Sequence, residues 1–131
     1  MDRLFLDAKV LFSAAYREHC GLRRLWKRED VELVTSGYAF EEARRNLDTD
    51  ERLERLQELV RTLEIVPESA VELAYRVELS EKDVPILRAA LAAEASHLIT
   101  GDRRDFGRYF GDKLGGLWVM TPRQYLETRN D

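Results

Sequence analysis

Four acidic residues stand where an apolar run ends or a helix is due to begin. Asp7 closes Leu4-Phe5-Leu6, and Glu42 falls early in the helix expected after residues 31–35. Asp83 precedes Val84-Pro85, and Asp102 follows Leu98-Ile99-Thr100-Gly101. In open α/β sheets, ligands bind outside the carboxyl ends of the strands. Carboxylates gathered at such an edge repel one another and stay ionised most easily with a cation between them. The pattern points to a divalent-metal site and, through it, to phosphodiester chemistry. Asp7, Asp83 and Asp102 also have a plainer use, since each can cap the helix that follows it. Three acids at one expected sheet edge tilt the balance towards a shared site.

Other chemistries find less support. Cys20 is the only cysteine, so no internal disulfide can form and a reducing compartment fits. His19 and His97 lack the Cys/His spacing of a zinc site, and no Ser, Cys or His arrangement offers a nucleophile. Residues 111–116 lack the Lys-Ser/Thr ending of a phosphate-binding loop and read as a turn before the last strand. Trp26, Trp118, Tyr38 and Tyr109 read as packing residues. The formal charge of −4 argues against a general nucleic-acid coat protein. It leaves room for a local basic groove, and Arg23, Arg24, Lys27 and Arg28 form one cluster while Arg103, Arg104 and Arg108 form another. With no signal-peptide core and no bilayer-length apolar stretch, the chain is expected to be cytoplasmic, without membrane contact.

The elements that must position the acids alternate along the chain. Residues 3–6 read as a first strand, followed by a helix through Val10, Leu11, Ala14 and Ala15. Leu22, Leu25 and Trp26 mark a second, short helix. Residues 31–35 alternate with period two, as a strand does, and Ser36 can cap a helix containing Phe40, Ala43 and Leu47. Leu53, Leu56, Leu59, Val60 and Leu63 line one face of an amphipathic helix. Ile65-Val66 is a short strand stopped by Pro67, and a helix through Val71, Leu73, Ala74 and Val77 is expected next. Asp83 and Pro85 open another helix, continued by the alanine-rich residues 89–95. Residues 98–100 and 117–120 give a fourth and a fifth strand, the last running into a Thr121-Pro122 cap. Strands alternating with helices imply a parallel sheet covered on both faces, within a single domain over residues 1–131.

Several of these segments, taken in order, resemble the PIN domain family. They are residues 4–11, the stretch from Thr35-Ser36 to Glu42-Ala43, residues 83–86, and the run Leu98-Ile99-Thr100-Gly101-Asp102-Arg103-Arg104-Asp105-Phe106. Val119-Met120-Thr121-Pro122 is similar to the family's usual ending, so the resemblance spans about residues 3–126. It implies a three-layer α/β/α sandwich with a central, mainly parallel sheet, and a metal-dependent ribonuclease site of the VapC-like kind. Carried over by motif, the metal ligands are Asp7, Glu42, Asp83 and Asp102, with Asp105 as a further acid. Glu41 competes with Glu42, which is preferred because an apolar residue, Ala43, follows it. Thr100 resembles a hydroxyl residue that supports the site. The implied ion is Mg2+ or Mn2+, which takes oxygen ligands and keeps several waters. It would activate water against the phosphodiester of an RNA substrate.

The resemblance also implies a possible toxin role beside an antitoxin protein, and homodimerisation. One position departs from it. The family's first motif reads Asp, a small residue, then Asn, and Lys9 stands third here. Either the lysine points to solvent, or its ammonium reaches the carboxylates and partly substitutes for a metal ion. The second possibility carries an alternative function, a catalytically impaired domain that binds RNA or protein without cutting.

Overall fold

The central strand explains the rest of the architecture. In β1 (Asp2–Leu6), Leu4, Phe5 and Leu6 are all fully buried, as an apolar run covered on both faces must be. It pairs in parallel with β2 (Val31–Ser36) on one side and β4 (His97–Ile99) on the other. Beyond β2 lies β3 (Glu64–Val66), and beyond β4 lies β6 (Leu117–Met120), both parallel to their neighbours. A two-residue strand, β5 (Lys113–Leu114), closes the edge antiparallel to β6. The order is β3-β2-β1-β4-β6-β5. The computed structural model describes residues 1–70, 73 and 78–129.

Helices cover the sheet in a three-layer α/β/α arrangement. α1 (Ala8–Tyr16) packs against α2 (Gly37–Asn46) and α3 (Asp50–Arg61), while α4 (Val84–Ala92) lies against β2 and β4. Ser36 caps α2 by accepting from the Ala39 amide. α5 (Arg103–Phe106) is a single turn after β4. α6 (Pro122–Thr128) opens with a reciprocal capping box between Thr121 and Gln124.

This strand order places the switch point between β1 and β4. The chain leaves β1 towards β2 and leaves β4 towards β6, so the two connections part and open a crevice at the strands' carboxyl ends. Asp7 and Asp102 follow those two strands.

Three elements differ from expectation. Residues 111–116 hold β5 as well as a turn, because Gly115 and Gly116, at φ 58° and 87°, make a two-residue reversal between Leu114 and Leu117. Such a loop twists with the strands it joins, which lets both sides pair. The expected helix at Leu22, Leu25 and Trp26 is a 3₁₀ turn over Gly21–Arg24, with bonds from Arg23 to Cys20 and from Leu25 to Leu22. The fourth strand sits one residue earlier than expected, at His97–Ile99, although the Thr100 amide still bonds the Met120 carbonyl. Of the helix expected through Val71, Leu73, Ala74 and Val77, only Leu73 lies within the described residues. No helix among the described residues is long and apolar enough to cross a membrane.

Candidate metal centre

A chain of hydrogen bonds ties β1 to β4 at the crevice. Asp7 is the N-cap of α1, and one carboxylate oxygen accepts from the Ala8 amide at 2.6 Å. Its other oxygen accepts from the Thr100 hydroxyl at 2.6 Å. Thr100 in turn accepts from the Asp102 amide at 3.0 Å. Asp102 caps α5, with its Oδ1 accepting from the Arg104 and Asp105 amides at 3.1 and 3.2 Å. Asp7, Thr100 and Asp102 are all buried, so the threonine fixes both acids without spending an exposed contact.

Asp83 behaves differently. It occupies the N-cap position of α4 yet makes no capping bond. Its carboxylate instead meets the Ser80 hydroxyl at 3.2 Å, and the same hydroxyl donates to Asp105 at 2.5 Å. The expectation that Asp83 caps its helix is thereby corrected. A competing group from α5 draws the side chain inwards, leaving Pro85 to favour the helix start. Asp83, Asp102 and Asp105 each offer an oxygen within 4.8 Å of the others, the spread of one ion's ligands. Asp7 and Glu42 stand outside that trio.

Crowding and burial shift the acids' proton affinities. Burial pushes the Asp7 carboxyl up from 3.8 to about 6, helped by the charges of Glu42 and Asp102 and resisted by its bonds from Thr100 and Ala8. Asp83 is pushed up to about 8, first by burial, then by a hydrogen bond with Asp105 and by the charges of Asp7 and Asp102. Asp105 is pulled down to about 2 by the same bond with Asp83 and by Ser80. Near neutral pH the Asp83–Asp105 pair therefore shares one proton, a coupled dyad rather than two independent acids.

Glu42 and Glu41 separate clearly. Glu41 is exposed and paired with Arg44 at 2.8 Å, which lowers its carboxyl's pKa. Glu42 lines a hollow of about 430 Å³ with Lys9, Phe12, Asn46 and Lys82. A second hollow of about 550 Å³ shares Lys9 and Phe12 and continues past Gly101, Arg103 and Arg123. The Lys9 ammonium lies 3.8 Å from Asp102 Oδ1, its side chain half exposed and that of Asp102 buried. Sequence reasoning passed over Ser80, Lys82 and Asn46. Ser80 had a signal, its place three residues before Asp83, where its carbonyl accepts from the Asp83 amide. Trp26, Tyr38 and Tyr109 are partly buried against the core, and the Trp26 indole donates to the Leu59 carbonyl.

The PIN domain family model matches residues 3–104. The chain belongs to the PIN domain family. Members of this family are typically nucleases that use divalent metals, and this PIN domain carries an all-carboxylate cluster of the right kind. The donor set fits, because oxygen-only ligands suit a hard divalent cation. A chain of VapBC2 from Rickettsia felis, solved bound to a DNA fragment from its promoter, shares the fold with a TM-score of 0.70 at 17% identity. The match covers 91% of this PIN domain and 98% of that chain. A chain of VapBC-1 from nontypeable Haemophilus influenzae gives a TM-score of 0.59 at 14% identity, covering 92% and 98% respectively. No curated protein matches the sequence significantly.

Proposed function

We propose that this PIN domain is a divalent-metal-dependent endoribonuclease acting as the toxin of a toxin–antitoxin pair. The observation that carries the reading is Asp83, which forgoes its capping bond to bring a third carboxylate within 4.8 Å of Asp102 and Asp105. Three buried or half-buried acids so close together make sense with a cation among them. Asp7, Glu42, Asp83 and Asp102 are the proposed site of Mg2+ or Mn2+. Asp83 and Asp102, with Asp105 in support, lie close enough to bind the ion directly, and Asp7 and Glu42 would act through the waters it keeps. A divalent cation bound there supplies an activated water and positive charge for the attacked phosphate.

The chain's own residues do the rest. Thr100 holds Asp7 and the Asp102 backbone in register. Ser80 holds Asp83 and Asp105 together beside Asp102. The two hollows that meet at Lys9 and Phe12 carry Lys82 at one end and Arg103 and Arg123 at the other. Those cations suit the phosphates of a single RNA strand laid across the acids, despite the net charge of −4. An antitoxin partner, a homodimeric state and a cytoplasmic setting belong to the same proposal. The VapBC relatives support the antitoxin.

Purified protein should cut single-stranded RNA with Mn2+ or Mg2+ and stop on addition of chelator. Asp102→Asn should remove the activity while keeping a folded circular-dichroism spectrum, since asparagine caps a helix as well as aspartate does. Cleavage that survives the substitution would point to a contaminating nuclease and end the proposal. The binding-only alternative draws on the Lys9–Asp102 contact. It would be upheld by RNA that binds and is never cut.

A further inference from the structure

We infer that this site takes one divalent cation, and that the Lys9 ammonium holds the place a second would need. The inference rests on the nuclease reading above. The five acids divide unequally. Asp83, Asp102 and Asp105 form a set within the span of one ion. Glu42 lies outside that set, in a hollow also lined by Lys9 and by Ala8, the residue after Asp7. Asp102, a member of that set whose charge also reaches Asp7, is the acid Lys9 approaches, at 3.8 Å.

Two-metal phosphodiester sites place their ions about 3.5–4 Å apart, with a carboxylate between them. An ion on the trio would make Asp102 that carboxylate, and its Oδ1 already faces an ammonium. The charge is tethered there. Lys9 is the second residue of α1, whose start is fixed by the Asp7 cap. Its stem lines both hollows, so the head reaches the acids along a wall of the cleft. A second divalent ion beside Asp102 meets a like charge already in contact with that buried carboxylate. It must displace the lysine or stay in solution. The half-exposed side chain could swing away, but the ammonium would then give up its contact with a buried carboxylate. Lys9 thus supplies a positive charge to the cleft without the coordination a metal offers.

Mn2+ titration, followed by the paramagnetic resonance signal of free ion and by calorimetry, tests this. Wild-type protein should bind one equivalent. Lys9→Asn and Lys9→Met, which keep the helix and remove the charge, should bind a second at least about tenfold more tightly than wild type does. Their spectra should show the broadening of paired ions. Lys9→Arg should stay at one. Two equivalents in the wild type, or one in both neutral variants, would overturn the inference. RNA cleavage by the same preparations separates the two readings. A wild type that cuts RNA with two ions refutes the lysine role alone, whereas one that binds no Mn2+ and cuts nothing refutes the nuclease reading with it.

Discussion

Replacing Asp7 by asparagine should stabilise the metal-free protein at neutral pH while destroying its proposed function. Asp7 is almost fully buried, and its carboxyl is raised from 3.8 to about 6, chiefly by burial. The folded state therefore holds this proton more tightly than the unfolded chain. Stability is unaffected below the unfolded value, falls as pH rises from about 4 to about 6, and stays reduced above that. A shift of that size corresponds to about 3 kcal/mol at pH 7.5 and to about 0.5 kcal/mol at pH 4. Asparagine carries no charge to desolvate and remains a good N-cap. It can still accept from Ala8, but it loses the charge-assisted bond from Thr100, at a cost of about 1 kcal/mol. The net gain should be about 2 kcal/mol at pH 7.5 and close to nothing at pH 4.

Urea unfolding in chelator, followed by the fluorescence of Trp26 and Trp118, measures this directly. With an m-value of about 1–3 kcal/mol/M, the midpoint of Asp7→Asn should lie roughly 1 M above wild type at pH 7.5. The two midpoints should converge at pH 4. Comparing the proteins at each pH cancels the titrations they share. Removing the Asp7 charge also relieves Asp83, which adds to the gain with the same sign. Saturating Mn2+ should reverse the order, because the wild type, with its extra carboxylate beside the ion, then gains the larger binding energy. An Asp7→Asn protein that is no more stable than wild type at pH 7.5, or equally shifted at both pH values, would show that Asp7 is not a strained carboxylate.

Two further outcomes follow from the same electrostatics. Because Asp83 holds its proton up to about pH 8, Mn2+ binding at pH 7 should release close to one proton and tighten as pH rises towards 8. Calorimetry in buffers of different ionisation enthalpy counts that proton, and no release would mean that the dyad is already fully ionised. Glu42→Gln should lower RNA cleavage at least about tenfold, while Glu41→Gln, which only loses an exposed pair with Arg44, should leave it within about twofold of wild type. Equal effects would remove Glu42 from the site.

What could be read from the sequence were features set by near neighbours in the chain. The buried run at Leu4, Phe5 and Leu6, the Ser36 and Thr121 caps, and the amphipathic helix through Leu56 depend on residues a few positions apart. The strand order depends instead on which faces find each other, and no local pattern encodes it. Asp83 illustrates the same limit at the site. Its flanking residues describe a helix start, and what turns its carboxylate away is Asp105, which shares the Ser80 hydroxyl from 25 residues beyond it. Lys9 likewise has a readable position on α1 and an unreadable direction, since the acid it faces comes from the far side of the switch point. The Gly115–Gly116 reversal, by contrast, was legible in principle as two glycines between apolar residues.

The opposition between cap and ligand dissolves once the oxygens are counted. A carboxylate has two of them, with about four lone-pair sites. Asp102 satisfies two helix amides with Oδ1 alone, leaving Oδ2 for an ion. Asp7 uses one oxygen for the Ala8 amide and the other for Thr100, and each bond takes only one of that oxygen's lone pairs. Capping therefore does not compete with coordination. It orients the acid, because a carboxylate held by its helix cannot turn away from its neighbours even when their charges repel it. Asp83, which stands at a helix start without capping it, needs Ser80 to do the same work, and it carries the largest upward shift among the acids of the site. The helix starts at this crevice are part of what keeps like charges together long enough for a cation to bind them.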